Sequence, residues 1–160
     1  MGLTADICDV HKDKVVLADP LFQCYGQKKT FYGPIHTVKV YEDNVLVKKA
    51  LEEIPAGSVL VVDGGASMRV ALMGDNLAAI AQNRKLAGVI INGAIRDSGD
   101  INAMPVGVRA LGTCPFKSMK KGEGETNIPL LFANVEWKPG AWAYVDEDGI
   151  LLSDTKLPLE

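Results

Sequence analysis

Two short apolar runs constrain the fold of this chain more than any other feature of its sequence. They are SVLVVD at 58–63 and GVIING at 88–93, and neither contains a charged residue before its last position. Uninterrupted apolar runs of this length are typical of strands that a parallel sheet buries on both faces. A helical pattern separates the two runs, which predicts a βαβ unit whose strands end side by side.

The residues before the first run extend this unit by a strand and a helix. Residues 35–41, IHTVKVY, alternate in polarity after the breaker pair Gly33–Pro34 and predict a strand. Residues 45–54 repeat apolar side chains at helical spacing, and Asp43 is a candidate N-cap.

The stretch between the two runs is helical in composition. Residues 66–73 and 77–86 both favour a helix. The Gly-Asp-Asn break between them makes Asp75 or Asn76 a candidate N-cap of the second helix. A βαβ arrangement interrupted once by this break is therefore expected.

The sequence changes character after a short helical turn from Asp100 and a strand at 106–111. Strands become short and connections turn-like, which predicts an antiparallel layer. Its expected strands are 135–137, 141–145 and 150–152, with Asp148–Gly149 as a hairpin turn. The sequence thus predicts a single α/β domain over residues 1–160, with a parallel βαβ core and an antiparallel β layer.

Composition narrows the class of protein. The chain has 160 residues and a formal net charge of −3, so it lacks the basic character that generic nucleic-acid or anionic-membrane binding requires. Cys8, Cys24 and Cys114 include no C-x-x-C pair, which argues against a disulfide framework or zinc cluster. No signal-peptide pattern and no 18-residue apolar run occur, so we expect a cytoplasmic protein without a membrane span.

Several familiar catalytic arrangements are not found. His11 and His36 lie far apart and near no G-x-S-x-G motif, so a Ser–His or Cys–His nucleophile is not expected. Gly64–Gly65 follows the first apolar run and could hold an anion, but it lacks the spacing of a nucleotide-binding loop. We interpret it as a tight turn.

Arg96–Asp97 is more informative, because it follows the second apolar run at the sheet edge where ligands bind. Arginine offers a planar fork to a carboxylate or enolate oxygen, and aspartate can hold a hard divalent cation. Asp75 and Asp100 lie in nearby loops, so three carboxylates surround one arginine. A surface ion pair that closes a loop, and a capping role for Asp75, are the alternative interpretations.

Asp75, twenty intervening residues and then Arg96–Asp97 form the pattern D-x20-R-D. This pattern resembles the signature of class II aldolases in the RraA-like family, which includes 4-hydroxy-4-methyl-2-oxoglutarate aldolases. Segments similar to that family run along nearly the whole chain: CDV at 8–10, DPLFQCYG at 19–26, YEDN at 41–44, VLVVDGG at 59–65, GDNLA at 74–78, NGAIRD at 92–97, VGVRALGTCP at 106–115 and YVDEDGILLS at 144–153.

The resemblance implies a fold and a reaction. The fold is a β/β/α sandwich of the swivelling-domain type, assembled as a homotrimeric ring with active sites in clefts between subunits. The reaction is aldol cleavage of a 2-oxo acid through a pyruvate enolate, with a divalent cation, usually Mg²⁺ or Mn²⁺. Oxaloacetate decarboxylation passes through the same enolate and is an expected side activity.

The resemblance also implies roles by position. Asp97 would hold the metal, with Asp100 in reach of its outer shell, and Arg96 would bind the substrate oxygens. Asp75 would help to position metal-bound or catalytic water. The residues expected to contact substrate are Gly74, Asp75, Asn76, Leu77 and Arg96.

Two subgroups of the family differ in function. Some members are protein inhibitors of ribonuclease E and lack the complete Arg-Asp pair, which this chain has. We therefore expect an aldolase or decarboxylase first, and a non-catalytic regulator that binds a ribonuclease as the alternative. The chain is the short form of the family, so a neighbour's C-terminal carboxylate used by longer aldolases could be missing. Glu123 and Glu125 are candidate substitutes, although a solvated charged loop also explains them.

An aromatic segment precedes the first predicted strand. Its apolar side chains form either a surface for a partner or a cover for the chain's own sheet, and the resemblance favours a trimer contact. The residues concerned are Leu21, Phe22, Tyr25, Phe31 and Tyr32.

Overall fold

The structure, a computed structural model, describes residues 2–159. Within this range the helices are α1 (Leu3–His11), α2 (Val45–Glu53), α3 (Asp75–Asn83) and α4 (Ser98–Asn102), with a 3₁₀ turn at Lys12–Lys14. The strands are β1 (Val16–Leu17), β2 (Gln23–Tyr25), β3 (Phe31–Lys39), β4 (Val59–Asp63), β5 (Ala71–Met73), β6 (Gly88–Ile95), β7 (Val108–Thr113), β8 (Glu125–Thr126), β9 (Leu130–Phe132), β10 (Val135–Trp137), β11 (Trp142–Asp146) and β12 (Gly149–Ser153).

A ten-stranded, mixed sheet forms the body of the molecule. Its strands follow the order β1-β12-β11-β3-β4-β6-β7-β2, with β5 beside β6 and β8 beside β3. Strands β3, β4, β6 and β7 are mutually parallel. Val59 pairs with Gly88 and Asp63 with Asn92, so the two apolar runs do end side by side as predicted.

Strand β3 joins the parallel and antiparallel parts of the sheet. Its residues 31–34 pair with antiparallel β11, whereas residues 35–39 pair with parallel β4. The predicted breaker pair Gly33–Pro34 therefore lies inside a strand, at the point where the strand changes partner. A Cβ on Gly33 would collide with the carbonyl oxygen of Gly57, so this close approach requires glycine.

Apolar layers pack on both faces of the parallel strands. Every residue of β4 and β6 is buried, as expected for strands covered on both sides. One face packs against α2, α3 and α4, and the other against the layer that contains β9–β12. Helix α1 covers β11 and β12 through Ile7, Tyr144 and Leu151. The fold is thus the expected α/β structure, a β/β/α sandwich.

The prediction of a helix over 66–73 is wrong. Residues from Gly64 form a turn, with Ala66 at φ 59°, and the chain then enters strand β5. Ala71 and Met73 pair with Ala94 and Ile95 of β6, and all of β5 is buried. Pairing with a distant strand overrides the local helix propensity of this stretch.

The position of the predicted hairpin turn also needs correction. The two-residue hairpin turn is Glu147–Asp148, one residue earlier than predicted, because Asp146 pairs with Gly149. Strand β10 lies at the predicted residues 135–137 and pairs antiparallel with β9 in a separate two-stranded sheet. In the aromatic segment, whose role the sequence left open, Phe31 is a buried core residue, while Leu21 and Tyr32 are exposed.

Helix α1 was not predicted from the sequence, because its apolar stripe is short. Among residues 2–159, no helix is both long and apolar enough to cross a membrane.

The body of the molecule is a curled sheet with helices on one face. The carboxyl ends of β5 and β6 lie next to the N-terminus of α3.

Candidate active site

The candidate site lies where β5 ends, α3 begins and β6 ends. Strand β6 runs directly into Arg96, whose N–H donates to the carbonyl oxygen of Met73 at 2.9 Å. That bond continues the β5–β6 pairing by one residue and places Arg96 and Asp97 beside Gly74. The loop after β6 and the first turn of α3 are therefore held together by backbone contacts.

Asp97 is bent into the site by an unusual backbone conformation. Its φ and ψ are 56° and 38°, in the left-handed region that few residues other than glycine, asparagine and aspartate occupy. Its Oδ2 accepts the N–H of Asp75 at 3.1 Å. The carboxylate thus caps the N-terminus of α3 from a different loop, and its charge is stabilised by the helix dipole.

The N-terminus of α3 offers free hydrogen-bond donors. Ala78 N–H donates to the carbonyl oxygen of Gly74 at 3.0 Å, and Asp75 N–H is taken by Asp97. The N–H groups of Asn76 and Leu77 have no acceptor within residues 2–159. Two free donors at a helix N-terminus, next to an arginine, favour a bound anion.

Gly74 makes the close packing of this corner possible. A Cβ at Gly74 would lie 2.6 Å from Oδ2 of Asp97 and 3.4 Å from Cγ of Arg96. Its φ of −119° is open to any residue, so the requirement for glycine is one of space. Gly74 therefore lets the two side chains after β6 lie across the start of α3.

These groups line an open cleft of about 680 Å³. Basic side chains outnumber acidic ones along its wall. The basic ones are Lys48, Lys49, Arg96, Lys117 and Lys120, and the acidic ones are Glu52, Asp75 and Asp97. None of the five basic groups forms an ion pair within 4.0 Å in the described part of the chain. A positive cleft in a chain with a net charge of −3 favours an anionic ligand.

The side chains of the cleft can be compared with those that usually bind a divalent cation. Residues 2–159 contain no cluster of three His, Cys, Asp or Glu side chains arranged to hold a metal. Asp97 is nevertheless exposed, and only one of its oxygens accepts a hydrogen bond from these residues. Mg²⁺ is commonly held by one or two carboxylates, with water and substrate oxygens completing its shell. Asp97 fits that mode of binding.

The structure brings together most of the residues singled out from the sequence. Gly74, Asp75, Asn76, Leu77, Arg96 and Asp97 all line the cleft. Asp75 is the first residue of α3, and Gly74, not Asp75 or Asn76, is its N-cap. Asp100 is exposed on α4 and is not part of the cleft wall, nor are Glu123 and Glu125.

Several cleft residues were missed in the sequence. They come from the first turn of α2 and from the segment after β7: Asn44, Lys48, Lys117, Ser118 and Lys120. The basic run KSMKK at 117–121 was the available signal, but it looks like a solvated loop until its partners are known.

The loop after β4 has a structural role. Gly64 N–H donates to the carbonyl oxygen of Asn92 at 3.0 Å, and Gly65 N–H donates to Oδ1 of Asp63 at 2.9 Å. These donors are used within the protein, and the loop leads to β5, not directly to a helix. The interpretation of Gly64–Gly65 as a tight turn agrees with this geometry.

Comparison with known proteins gives a consistent family. The RraA-like family, described as Aldolase/RraA, matches residues 4–152. A protein of Bacillus anthracis, provisionally named a 4-hydroxy-4-methyl-2-oxoglutarate aldolase, is 53% identical over 157 residues, covering 98% of this chain and 99% of its own.

Two solved structures share the fold along almost the full length. One, from Geobacillus kaustophilus, is described as an S-adenosylmethionine:2-dimethylmenaquinone methyltransferase; it is 55% identical, with a TM-score of 0.96 over 98% of this chain and 97% of that chain. The RNA-processing inhibitor RraA from Thermus thermophilis is 41% identical, with a TM-score of 0.94 over 99% of this chain and 96% of that chain. The chain belongs to the RraA-like family.

Proposed function

We propose that the protein is a divalent-metal-dependent class II aldolase. Its substrate would be 4-hydroxy-4-methyl-2-oxoglutarate or a related 4-hydroxy-2-oxo acid, and it would also decarboxylate oxaloacetate. One observation carries this proposal: Arg96 and Asp97 lie beside the free N–H groups of α3 in a positively charged cleft. The aldolase names of close relatives support it.

Substrate binding would use the donors at the start of α3. The N–H groups of Asn76 and Leu77 would receive the carboxylate next to the ketone. The Arg96 guanidinium would bind the ketone oxygen and a carboxylate oxygen, since its planar fork matches two acceptors at once. The Met73 carbonyl and the close packing at Gly74 hold the backbone of Arg96 against the start of α3.

Cleavage would proceed by loss of the proton from the C4 hydroxyl. The C3–C4 bond breaks, C4 becomes a ketone, and the electron pair moves to the C2 oxygen to give a pyruvate enolate. That enolate is then protonated at C3, so 4-hydroxy-4-methyl-2-oxoglutarate gives two molecules of pyruvate. Arg96 would stabilise the negative charge on the enolate oxygen. Asp75, at the cleft wall, would move the protons through a bound water.

Asp97 would hold Mg²⁺ or Mn²⁺. The cation, when bound, supplies Lewis-acid polarisation of the 2-oxo group.

We further propose a homotrimer with the cleft at the contact between subunits, so that a neighbour can add a carboxylate to the site. Exposed apolar side chains such as Met68, Phe116 and Met119 support such a contact.

Pyruvate release tests the proposal directly. The protein is mixed with 4-hydroxy-4-methyl-2-oxoglutarate or with oxaloacetate, with Mg²⁺, with Mn²⁺ and with excess EDTA, and pyruvate is measured through lactate dehydrogenase. We expect release with either cation and none with EDTA. Full activity in EDTA would overturn the metal-dependent mechanism, and no pyruvate under any condition would overturn the aldolase function.

A trimeric site makes activity depend on protein concentration. We expect the specific activity to fall on dilution below the dissociation constant of the trimer, with light scattering reporting the loss of trimer. A mass of about 17 kDa at full specific activity would show that one subunit holds the whole site.

A second candidate function is regulation of a ribonuclease, the activity named for the Thermus relative. A regulator acts through its outer surface, so a double substitution of Arg96 and Asp97 by alanine should leave ribonuclease binding unchanged. Micromolar binding to a ribonuclease, together with no pyruvate release from any 2-oxo acid, would place this function first.

The loop after β4 does not favour the methyltransferase activity named for the Geobacillus structure. A glycine-rich loop that binds a nucleotide cofactor presents free backbone N–H groups to it. The N–H groups of Gly64 and Gly65 are instead bonded to Asn92 and Asp63.

A further inference from the structure

A basic segment, Phe116–Lys120, lies along the cleft wall and is held there by backbone bonds. Ala71 N–H donates to the carbonyl oxygen of Phe116 at 2.8 Å, at the start of β5. Met119 N–H donates to the carbonyl oxygen of Glu42 at 2.8 Å, just before α2. We call these five residues the lysine segment. Its backbone bridges two elements of the site, so it is not a free surface loop.

Asp43 fixes the residues that follow the lysine segment. Its buried carboxylate accepts the N–H groups of Val45 at 3.0 Å, Lys121 and Gly122 at 2.9 Å, and Glu123 at 3.3 Å. Burial acts to raise the pKa of Asp43, but these four donors outweigh it and hold the pKa below its usual value. The carboxylate therefore stays ionised and keeps the segment in place.

The lysine ammonium groups of the segment are not neutralised by the protein. Lys120 Nζ donates to Oδ1 of Asn44 at 2.7 Å, and Asn44 in turn donates to the carbonyl oxygen of Leu72 at 3.2 Å. A neutral amide thus orients Lys120 without cancelling its charge. Lys117 and Lys48 line the same cleft, and within residues 2–159 neither has a carboxylate within 4.0 Å.

Ser118 adds an independent sign of a missing partner. It lines the cleft between the two lysines of the segment and is only 5% exposed. Its hydroxyl has no hydrogen-bond partner among the described residues. A buried polar group without a partner costs free energy, so a ligand that reaches it would be stabilised.

We propose that Lys117 and Lys120, with Lys48 beside them, form a second anion subsite that determines specificity for dicarboxylic 2-oxo acids. The inference rests on the proposed function, in which Arg96 and the N-terminus of α3 bind the carboxylate next to the ketone. The far carboxylate of the substrate lies against the lysine segment. Together the two subsites select a substrate with a carboxylate at each end. A substrate with only one carboxylate would leave the lysine charges without a partner and would bind less tightly.

A binding experiment tests this subsite without any turnover. 2-Oxoglutarate and 2-oxopentanoate have the same chain length, but only the first has a far carboxylate. Calorimetry with Mg²⁺ should show 2-oxoglutarate binding about tenfold more tightly to the unaltered protein. In a K117M/K120M double variant the preference should fall to about twofold or less, while 2-oxopentanoate affinity stays unchanged. Lys138→Met, on the far side of the sheet, is the matched control and should keep the full preference.

Each outcome of the binding experiment decides the inference. Equal affinities of the two acids for the unaltered protein, including no measurable binding of either, would overturn it. An unchanged preference in the double variant would also overturn it, because the discriminating charge would then lie elsewhere. Thermal melting of the variants checks that the cleft is intact.

Kinetics separate failure of the subsite from failure of the proposed function. The pair to compare is 4-hydroxy-4-methyl-2-oxoglutarate and 4-hydroxy-4-methyl-2-oxopentanoate. The double variant should raise KM for the first about tenfold with kcat nearly unchanged, and should leave the second unaffected. Pyruvate release with no change in this preference contradicts the subsite alone. No pyruvate from either acid contradicts the aldolase function, while the calorimetric result still decides the subsite.

Discussion

Among the aspartates of residues 2–159 that accept backbone N–H groups, Asp43 and Asp146 differ in kind from Asp97. Asp43 and Asp146 are buried, and each accepts at least three hydrogen bonds. Asp97 is exposed and accepts one, from Asp75. A carboxylate has about four acceptor positions, so the first two are nearly saturated and the third is not. The number of acceptor positions left open therefore distinguishes an aspartate that holds loops together from one that can bind a ligand.

The largest expected effect comes from Asp97→Asn. Asparagine tolerates the left-handed backbone and can still accept the Asp75 N–H, but it is a poor ligand for Mg²⁺. We expect kcat/KM for pyruvate release to fall about 10³-fold, or about 4 kcal/mol, with the melting temperature nearly unchanged. Asp154→Asn, an exposed aspartate after β12, is the control and should keep full activity. Near-normal activity of Asp97→Asn would remove Asp97 from the site.

Asp43→Ala should have the opposite pattern, with a loss of stability greater than any direct effect on chemistry. Four N–H groups would lose a buried, ionised acceptor, which we expect to lower the free energy of unfolding by about 3 kcal/mol. Urea denaturation measures this change, with Asp97→Asn as the comparison. Equal stability of the two variants would mean that the number of hydrogen bonds a carboxylate accepts does not predict its contribution to stability.

Arg96→Lys tests whether the planar fork is needed. Lysine keeps the positive charge but cannot donate two parallel hydrogen bonds. We expect kcat/KM to fall at least about tenfold, which corresponds to about 1.4 kcal/mol of transition-state stabilisation. The matched change Arg84→Lys, at the other end of α3, should alter kcat/KM by less than about twofold. Unaltered kinetics of Arg96→Lys would show that the arginine is only a surface group.

Gly74→Ala tests the close packing that brings Asp97 to α3. The new methyl group would lie 2.6 Å from Oδ2 of Asp97, so the carboxylate has to move. We expect about a tenfold loss of activity. Gly99→Ala is the control, since nothing lies within 4 Å of its added Cβ. Activity in Gly74→Ala equal to that in Gly99→Ala would mean that the position of Asp97 is not critical.

The smallest expected effect is on acid stability through Asp146. Burial acts to raise its pKa, but donors from Thr4, Asp148 and Gly149 hold the pKa below its usual value. A carboxyl whose pKa is lower in the folded state stabilises the fold above its unfolded pKa, about 3.9, and this contribution is lost as the pH falls through the folded value. Between pH 7 and pH 3, the unaltered protein should therefore lose about 1 kcal/mol more stability than Asp146→Asn. Equal losses in urea titrations at the two pH values would exclude this role.

Local sequence determined the elements whose signal is carried by neighbouring residues. The apolar runs specified β4 and β6, because a strand buried on both faces needs apolar side chains at every position. The break before Asp75 indicated the start of α3 to within one residue. The D-x20-R-D pattern named Asp75, Arg96 and Asp97, which the fold places in one cleft. These features needed no knowledge of distant contacts.

The tertiary structure alone decided features that depend on residues far apart in the chain. Residues 71–73 form β5 because they pair with β6, although their local composition favours a helix. Lys117 and Lys120 reach the cleft because the lysine segment bonds to Ala71 and Glu42, about 45 and 75 positions away. Nothing in the local sequence distinguishes Asp97, whose carboxylate has open acceptor positions, from Asp43 and Asp146, whose acceptor positions are nearly all used. Only the folded chain sets how many donors meet each carboxylate, because those donors come from loops that the sequence does not place together.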